Sequence, residues 1–266
     1  MSKYKKELDE MTWSFSRLHM WEQCHYAFYL KYIEHASGID NFWAANGKAV
    51  HETLEKFFKG EISLSEICEH YIDLYDEICE ETKQSTMDKC FEECANFFSE
   101  YDFSFIDKYE ILGVEKKCDF KIGKYKFTGY IDLLLRDKKL GDIVVFDHKS
   151  SQFPFKKNGT GVLKNCEDSF NSYKHQMYLY CKQVIDEYEV QPSKITWLHF
   201  RDQKLATIDF NIDEYNESLK WATDTIKSIY KDSEFEATDS FMLCGRLCDF
   251  RDGDCEYKEL RKLEDE

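Results

Sequence analysis

A chain of 266 residues that is 42% apolar and 33% charged is long enough for a packed core and too apolar for wholesale disorder. Its 21 Phe and 17 Tyr, against only 2 Pro and 11 Gly, favour long helices with a few strands and exclude a collagenous or turn-dense all-β chain. No apolar run of 18 residues occurs and the opening MSKYKKELDE lacks an apolar h-region, so neither a membrane span nor a secretory leader is expected and a cytoplasmic location is.

The first periodic segment runs from Ser14 to about Ile33. There Phe15, Leu18, Trp21, Ala27, Phe28 and Leu30 predict a helix broken near Cys24, with Ser14 or Ser16 as its cap. A second helix is expected from about Phe42 to Phe58, stopped by Gly60. Leu64, Ile67, Tyr71, Leu74 and Ile78, then Cys90, Cys94, Phe97 and Phe98, continue near-helical spacing over 63–82 and 86–104. The period then changes: residues 109–121 and 124–136 read as a β-hairpin about Gly123, and Ile143–Phe146 as a short buried strand. A polar loop over 152–167 leads to a long helix from about Asp168 to Tyr188. Strands near 194–201 and 205–211, a helix from about Asp213 to Tyr230 and a cysteine-bearing tail complete the chain. This order predicts an α/β fold with an added helical layer.

The net charge of −16 argues against wrapping nucleic acid as a whole, but the charge is unevenly spread. Residues 108–164 carry 13 Lys or Arg against 7 Asp or Glu, whereas residues 50–107 carry 16 acids against 4 Lys. A basic block inside an acidic chain marks a candidate site for a polyanion.

That block holds two acids at the ends of adjacent predicted strands. Asp132 lies in Gly129-Tyr130-Ile131-Asp132, and Asp147 follows the apolar strand Ile143–Phe146, ahead of His148 and Lys149. Side chains alternate along a strand, so Asp147 and Lys149 share one face; pairing of neighbouring strands brings Asp132 near Asp147. Two carboxylates with the His148 carbonyl make an oxygen-rich site suited to Mg²⁺ or Mn²⁺. Such an ion lowers the pKa of a bound water, and a lysine beside it stabilises charge developing on a phosphoryl group. An ordinary strand-end ion pair accounts for Asp147 and Lys149 alone. A charge placed directly after four buried residues, however, is costly unless it is paired or metal-bound. His51 adds to the pattern by sharing an apolar helix face with Leu54 and Phe58; Glu115 stands within the first hairpin strand; Gln176 and Tyr180 lie four apart on the long helix.

Taken in order, Ser14-x-Ser16-Arg17-Leu18 with Cys24, Gly47-x-x-x-His51, Glu115, Gly129-x-Ile131-Asp132, Asp147-x-Lys149 and Gln176-x-x-x-Tyr180 resemble the RecB/AddB-like exonuclease branch of the PD-(D/E)xK nuclease superfamily, which includes the CRISPR-associated RecB-like exonucleases. The resemblance spans roughly residues 13–257. It implies a restriction-endonuclease-like core with a central mixed β-sheet flanked by helices, an N-terminal helical layer and a cysteine-ligated cluster joining the two termini. The whole would form a single nuclease domain over 1–266, with the helical layer at about 40–107, the catalytic core at about 108–212 and the cysteine cluster at about 240–257 with Cys24. Carried over by position, His51, Asp132, Asp147 and the His148 carbonyl are implied as metal ligands and Lys149 as the catalytic lysine. Glu115, Gln176 and Tyr180 are implied as supporting active-site residues. The implied activity is Mg²⁺- or Mn²⁺-dependent hydrolysis of DNA, on single strands or duplex ends, in recombination, repair, phage DNA metabolism or CRISPR adaptation. A helicase, CRISPR or recombination partner would be a separate chain, since no helicase motif is present.

Eleven cysteines are many for a chain with no secretory leader, and reduced thiols are expected for most of them. Cys68, Cys79, Cys90, Cys94, Cys118, Cys166 and Cys181 fall in helical or strand-like stretches and read as small core hydrophobes. Near the C-terminus, Cys244-x₃-Cys248-x₆-Cys255 allows three thiolates to converge, with Gly245 and Gly253 between them. The resemblance implies Cys24 as a fourth ligand and a 4Fe–4S cluster as the occupant. The family's first C-terminal gap is commonly two residues rather than three, and four thiolates also suit Zn²⁺. Two other classes compete with the nuclease reading. A non-catalytic DNA-binding or assembly subunit would keep the fold, yet here every ligand and lysine position is filled. A redox protein built on the cysteines would leave Asp132, Asp147 and Lys149 unexplained.

Overall fold

The computed structural model describes residues 3–39, 42–79, 88–157, 161–240, 242–250 and 255. Its first helix, α1 (Lys5–Glu10), buries only Leu8 and is too short to show as periodicity in the sequence. The predicted break near Cys24 is a double cap. Ser14 Oγ accepts from the Arg17 N–H at 3.3 Å to open α2 (Phe15–Gln23). Extended Cys24 then ends α2, and its Sγ accepts from the Ala27 N–H at 3.4 Å to open α3 (His25–Tyr32).

The acidic helical layer follows. Helix α4 (Phe42–Phe58) turns Phe42, Ala45, Ala49, Val50, Leu54 and Phe58 inward, a stripe at helical spacing. Helices α5 (Ile67–Cys79) and α6 (Asp88–Glu100) pack beside it. Helix α5 starts later than the sequence suggests, because Ser63 and Glu66 bind one another reciprocally in a turn ahead of it.

Five strands, β1 (Tyr109–Ile122), β2 (Tyr125–Asp137), β3 (Ile143–Lys149), β4 (Lys194–His199) and β5 (Lys204–Asp209), form one sheet in chain order. The β1–β2, β2–β3 and β4–β5 pairs are antiparallel. β3 and β4 are parallel, which requires the crossover supplied by α7 (Glu167–Tyr188). The β1–β2 turn carries Gly123 at φ +57 as its first central residue, as a two-residue hairpin with primed geometry demands. The sheet is mixed, and its centre is covered on both faces. Ile131, Leu134, Val145 and Trp197 face α2, α7 and α8 (Ile212–Lys231), while Leu133, Leu135, Val144, Phe146 and Leu198 face the α4–α6 layer.

Two departures from the expected strands shape the site. β3 does not stop at Phe146: its parallel pairing to β4 continues through Lys149↔His199, so Asp147, His148 and Lys149 are strand residues. On its other edge β3 pairs with β2 only from Leu133↔Phe146 to Arg136↔Ile143, and then the two part. The edge of β2 so vacated is taken up by Trp13, which donates to the Lys126 carbonyl and accepts from the Thr128 N–H, both at 2.8 Å. Among the described residues no helix is long and apolar enough to cross a membrane.

Candidate functional site

The parting of β2 and β3 is where the predicted residues collect. Register places Glu115 opposite Asp132, between the Val114↔Leu133 and Lys116↔Ile131 pairs. Glu115 sits at φ +46, a left-handed conformation that a glutamate adopts at a cost of about 1–3 kcal/mol and that concentrates at functional sites. At this row the inward alternation also slips: Ile131 packs on the α7 side and Leu133 on the α4 side, two residues apart. Both carboxylates thereby come up under α4, where His51 Nδ1 lies 3.5 Å from Asp132 Oδ2 and 3.9 Å from Glu115 Oε1.

On β3, regular alternation separates the pair from the spacer. Asp147 and Lys149 point to the α7 side, with Lys149 Nζ 2.7 Å from Asp147 Oδ2. The same ammonium donates to Gln176 Oε1 at 2.9 Å and stands 4.8 Å above the ring of Tyr173. Gln176 in turn donates to the Tyr180 hydroxyl at 3.4 Å. His148 points to the α4 side, its ring stacked on Phe58 and edge-on to His51. Its backbone N–H donates to Asp132 Oδ2 at 2.8 Å. Its imidazole is buried, and neither ring nitrogen makes a hydrogen bond, although Nδ1 is 3.5 Å from that same Asp132 oxygen. Ligand atoms of His51, Asp132 and His148 all lie within 4.8 Å of one another, a separation one metal ion can span. The sequence offered the His148 carbonyl and the Asp147 carboxylate to this group; the group the structure draws tightest instead includes the His148 imidazole, and Asp147 stands with Lys149.

Burial and mutual charge set the ionisation here. Desolvation disfavours a charged His51, yet Asp132 first and Glu115 next outweigh it and lift its pKa to about 9. Burial pushes Asp132 and Asp147 upward, against the pull of His51 and Lys149. Burial also opposes the charge on Lys149, but Asp147 and Asp132 hold its pKa above the usual lysine range. His148 is driven well below its usual value by burial, then by the charges on His51 and Lys149, so its ring is neutral and able to ligate. The open cleft above is lined by Lys48, Glu52, Glu55, Lys56 and Glu61 beside His51, Glu115 and Asp132.

Sequence reasoning passed over two contributors. Tyr173 lies three residues before Gln176, hence on the same helix face, and that spacing was the available signal. The His148 imidazole had no signal of its own, because a histidine between an acid and a lysine on a strand reads only as the spacer.

The second predicted constellation also converges. Cys24, Cys244, Cys248 and Cys255 line one small apolar cavity with Ala27, Leu30, Leu243 and Phe250. Burial raises the Cys244 thiol to about 11, with Cys248, Cys24 and Cys255 adding to the rise in that order. The Phe250 N–H donates to Cys248 Sγ at 3.4 Å and the Ala27 N–H to Cys24 Sγ. Cys90, Cys94, Cys118 and Cys181 are buried among core side chains, Cys166 is buried outside those clusters and Cys68 half-buried, while the side chain of Cys79 lies outside the described residues.

A search of curated proteins finds no match. Among solved structures, a protein from Eubacterium rectale described as a "Putative exonuclease" superposes with a TM-score of 0.53 at 11% identity, covering 89% of this chain and 88% of that one. At such low identity the likeness concerns the fold: a five-stranded mixed sheet between helices. The family model described as the PD-(D/E)XK nuclease superfamily matches residues 12–259, which hold all five strands, the parting of β2 and β3, and all four converging cysteines. The chain belongs to the PD-(D/E)XK nuclease superfamily.

Proposed function

We propose that this protein is a metal-dependent deoxyribonuclease of the RecB/AddB-like type, a single nuclease domain acting on single-stranded DNA or DNA ends. One observation carries the reading: the Lys149 ammonium, paired with Asp147 at 2.7 Å, lies where β2 and β3 part, beside the His51, Asp132 and His148 group. Mg²⁺ or Mn²⁺ held there supplies Lewis acidity at a phosphoryl oxygen and acidifies a coordinated water. The donor set fits such an ion. His148 keeps a neutral, buried imidazole with no hydrogen-bond partner, Asp132 brings a carboxylate within reach, and His51 would bring a second imidazole once a bound cation displaced the proton that Asp132 and Glu115 favour on it. The His148 N–H faces Asp132, and in an extended residue the carbonyl lies on that same side of the strand, which suits it as a further oxygen donor. Two imidazoles in the set favour Mn²⁺ over Mg²⁺.

The chain's own part is to hold charge in place. Asp147 and Gln176 fix the Lys149 ammonium from two directions, so it meets the charge that gathers on the phosphoryl oxygens during attack without reorganising. The Tyr173 ring lies against that ammonium, and Tyr180 accepts the hydrogen bond that orients Gln176. Glu115 keeps His51 turned toward Asp132.

The four converging cysteines are proposed to hold a 4Fe–4S cluster with a structural role. The chemistry of four thiols around one apolar cavity supports this. Four thiolates also suit Zn²⁺, the alternative occupant, and the iron assay separates the two.

The test is anaerobic purification with an absorption spectrum and iron assay, followed by incubation with end-labelled single- and double-stranded DNA and Mn²⁺. Cleavage that stops on metal removal and in Lys149→Ala is expected. Protein that leaves both DNAs intact with Mn²⁺ and Mg²⁺ overturns the reading.

A further inference from the structure

We propose that the uncovered face of the β1–β2 ribbon, running from the Glu115/Asp132 row to the hairpin turn, is the track on which a single strand of DNA lies as it meets the hydrolytic centre. The proposal deepens the nuclease reading above and rests on it for the nature of the polymer.

The ribbon has two unlike faces. Cys118, Phe120, Ile122 and Phe127 point into the core. Alternation places Lys117, Asp119 and Lys121 of β1 and Lys126 and Tyr130 of β2 on the other face, and all five are exposed. Register arranges them in rows: Lys117↔Tyr130 next to the Glu115/Asp132 row, then Asp119↔Thr128, then Lys121↔Lys126. The α4 stripe that covers the sheet at Leu133 and Leu135 does not extend over these rows.

Three features of the strip suit a polyanion with stackable bases. Lys121 and Lys126 stand directly opposite one another, an arrangement that destabilises an antiparallel pair unless something anionic lies across it. Neither has a carboxylate within ion-pair distance among the described residues, in a chain that carries a net charge of −16. The one acid on the strip, Asp119, is matched by Lys117 at 2.8 Å. Tyr130 is 51% exposed and makes no ring contact or hydrogen bond with another described residue. At about 3.4 Å per residue, Tyr130 stands roughly 7 Å from Asp132 along β2, and Lys126 roughly 20 Å. A base can therefore stack on the phenol while its phosphate reaches the metal group, and the lysine pair meets backbone a few nucleotides further on. A duplex offers no free base face to Tyr130 along its length, so the strip favours a single strand.

The test uses the full chain in EDTA, so that binding is read without cleavage. The probe is a fluorescein-labelled oligothymidylate of about twelve nucleotides. Tyr130→Ala weakens binding about tenfold and Tyr130→Phe retains it, since stacking needs the ring and not the hydroxyl. Lys121→Gln with Lys126→Gln flattens the slope of log affinity against log salt by about 1.4. With Mn²⁺, the double lysine variant hydrolyses thymidine 5′-p-nitrophenyl phosphate, too short to reach the lysine pair, as the parent protein does. Parent protein that does not bind the oligonucleotide, or Tyr130→Ala and the double lysine variant binding as tightly and with the same salt slope, overturns the proposal. Failure of the nuclease reading is a different result: binding intact, and neither DNA nor the short ester hydrolysed with any divalent ion.

Discussion

The ring of Tyr180 lies so close over the backbone of Gly129 that a methyl group on that glycine would meet Cε1 at 2.6 Å. The glycine of Gly129-x-Ile131-Asp132 is therefore a packing requirement of β2 against α7, not a turn. Gly129→Ala forces either the strand or the tyrosine aside and is expected to cost about 1–3 kcal/mol by overpacking. Denaturant unfolding of Gly129→Ala, Tyr180→Ala and the double variant checks this. The double variant should lose less than the sum of the two singles, because the clash has gone.

Removing the ammonium or its carboxylate partner should separate chemistry from folding. Lys149→Ala and Asp147→Ala are expected to lower cleavage of end-labelled single-stranded DNA by at least about 10²–10³-fold. Circular dichroism and bound iron should stay at the parent level, because the cysteine cavity is formed by α3 and the C-terminal segment rather than by β3. Cleavage at the parent rate in either variant would remove Lys149 from the mechanism.

Cys24 lies 220 residues from Cys244, so a cluster bound by both closes a very long loop. Cys24→Ser and Cys244→Ser should each lose iron and lower stability by up to about 5 kcal/mol, the loop-closure value for a cross-link of that length. Iron content and unfolding midpoints under anaerobic conditions measure both effects. Full iron occupancy in either variant would remove that cysteine from the cluster's ligands.

Asp232 supplies a pH test outside the hydrolytic centre. Burial disfavours its charge, but the N–H groups of Phe235 and Glu234 and then His25 outweigh that, holding its pKa below the usual 3.8. A depressed carboxylate contributes stability that is present above 3.8 and lost as pH falls through the lower folded value. Urea midpoints of the parent and of Asp232→Asn should therefore differ near neutrality and converge below pH 3.8. Equal gaps at pH 7 and pH 3 would show that the carboxylate charge has no part in seating Phe235.

What the sequence disclosed followed from periodicity and alternation. The Phe42–Phe58 helix, the hairpin about Gly123 and the shared face of Asp147 and Lys149 all rest on spacings of 3.6 or 2, and they stand as expected. The break at Cys24 was visible as an interruption, but its cause, a thiol that caps the next helix, is a conformational fact that no spacing encodes. The left-handed φ of Glu115 was hidden too, since a glutamate carries no sign of a conformation that its neighbours impose. Trp13 joining β2 and Tyr180 overlying Gly129 are contacts between distant segments. Local pattern cannot see those, because it is the folded topology that creates them.

The seam between Trp13 and β2 has a consequence beyond hydrolysis. Peeling that segment away bares the Thr128 N–H and the Lys126 carbonyl on either side of apolar Phe127. An uncapped edge of this kind templates strand addition from another molecule. The stretch around Trp13 thus guards the protein against self-association along the edge of β2 that β3 leaves vacant.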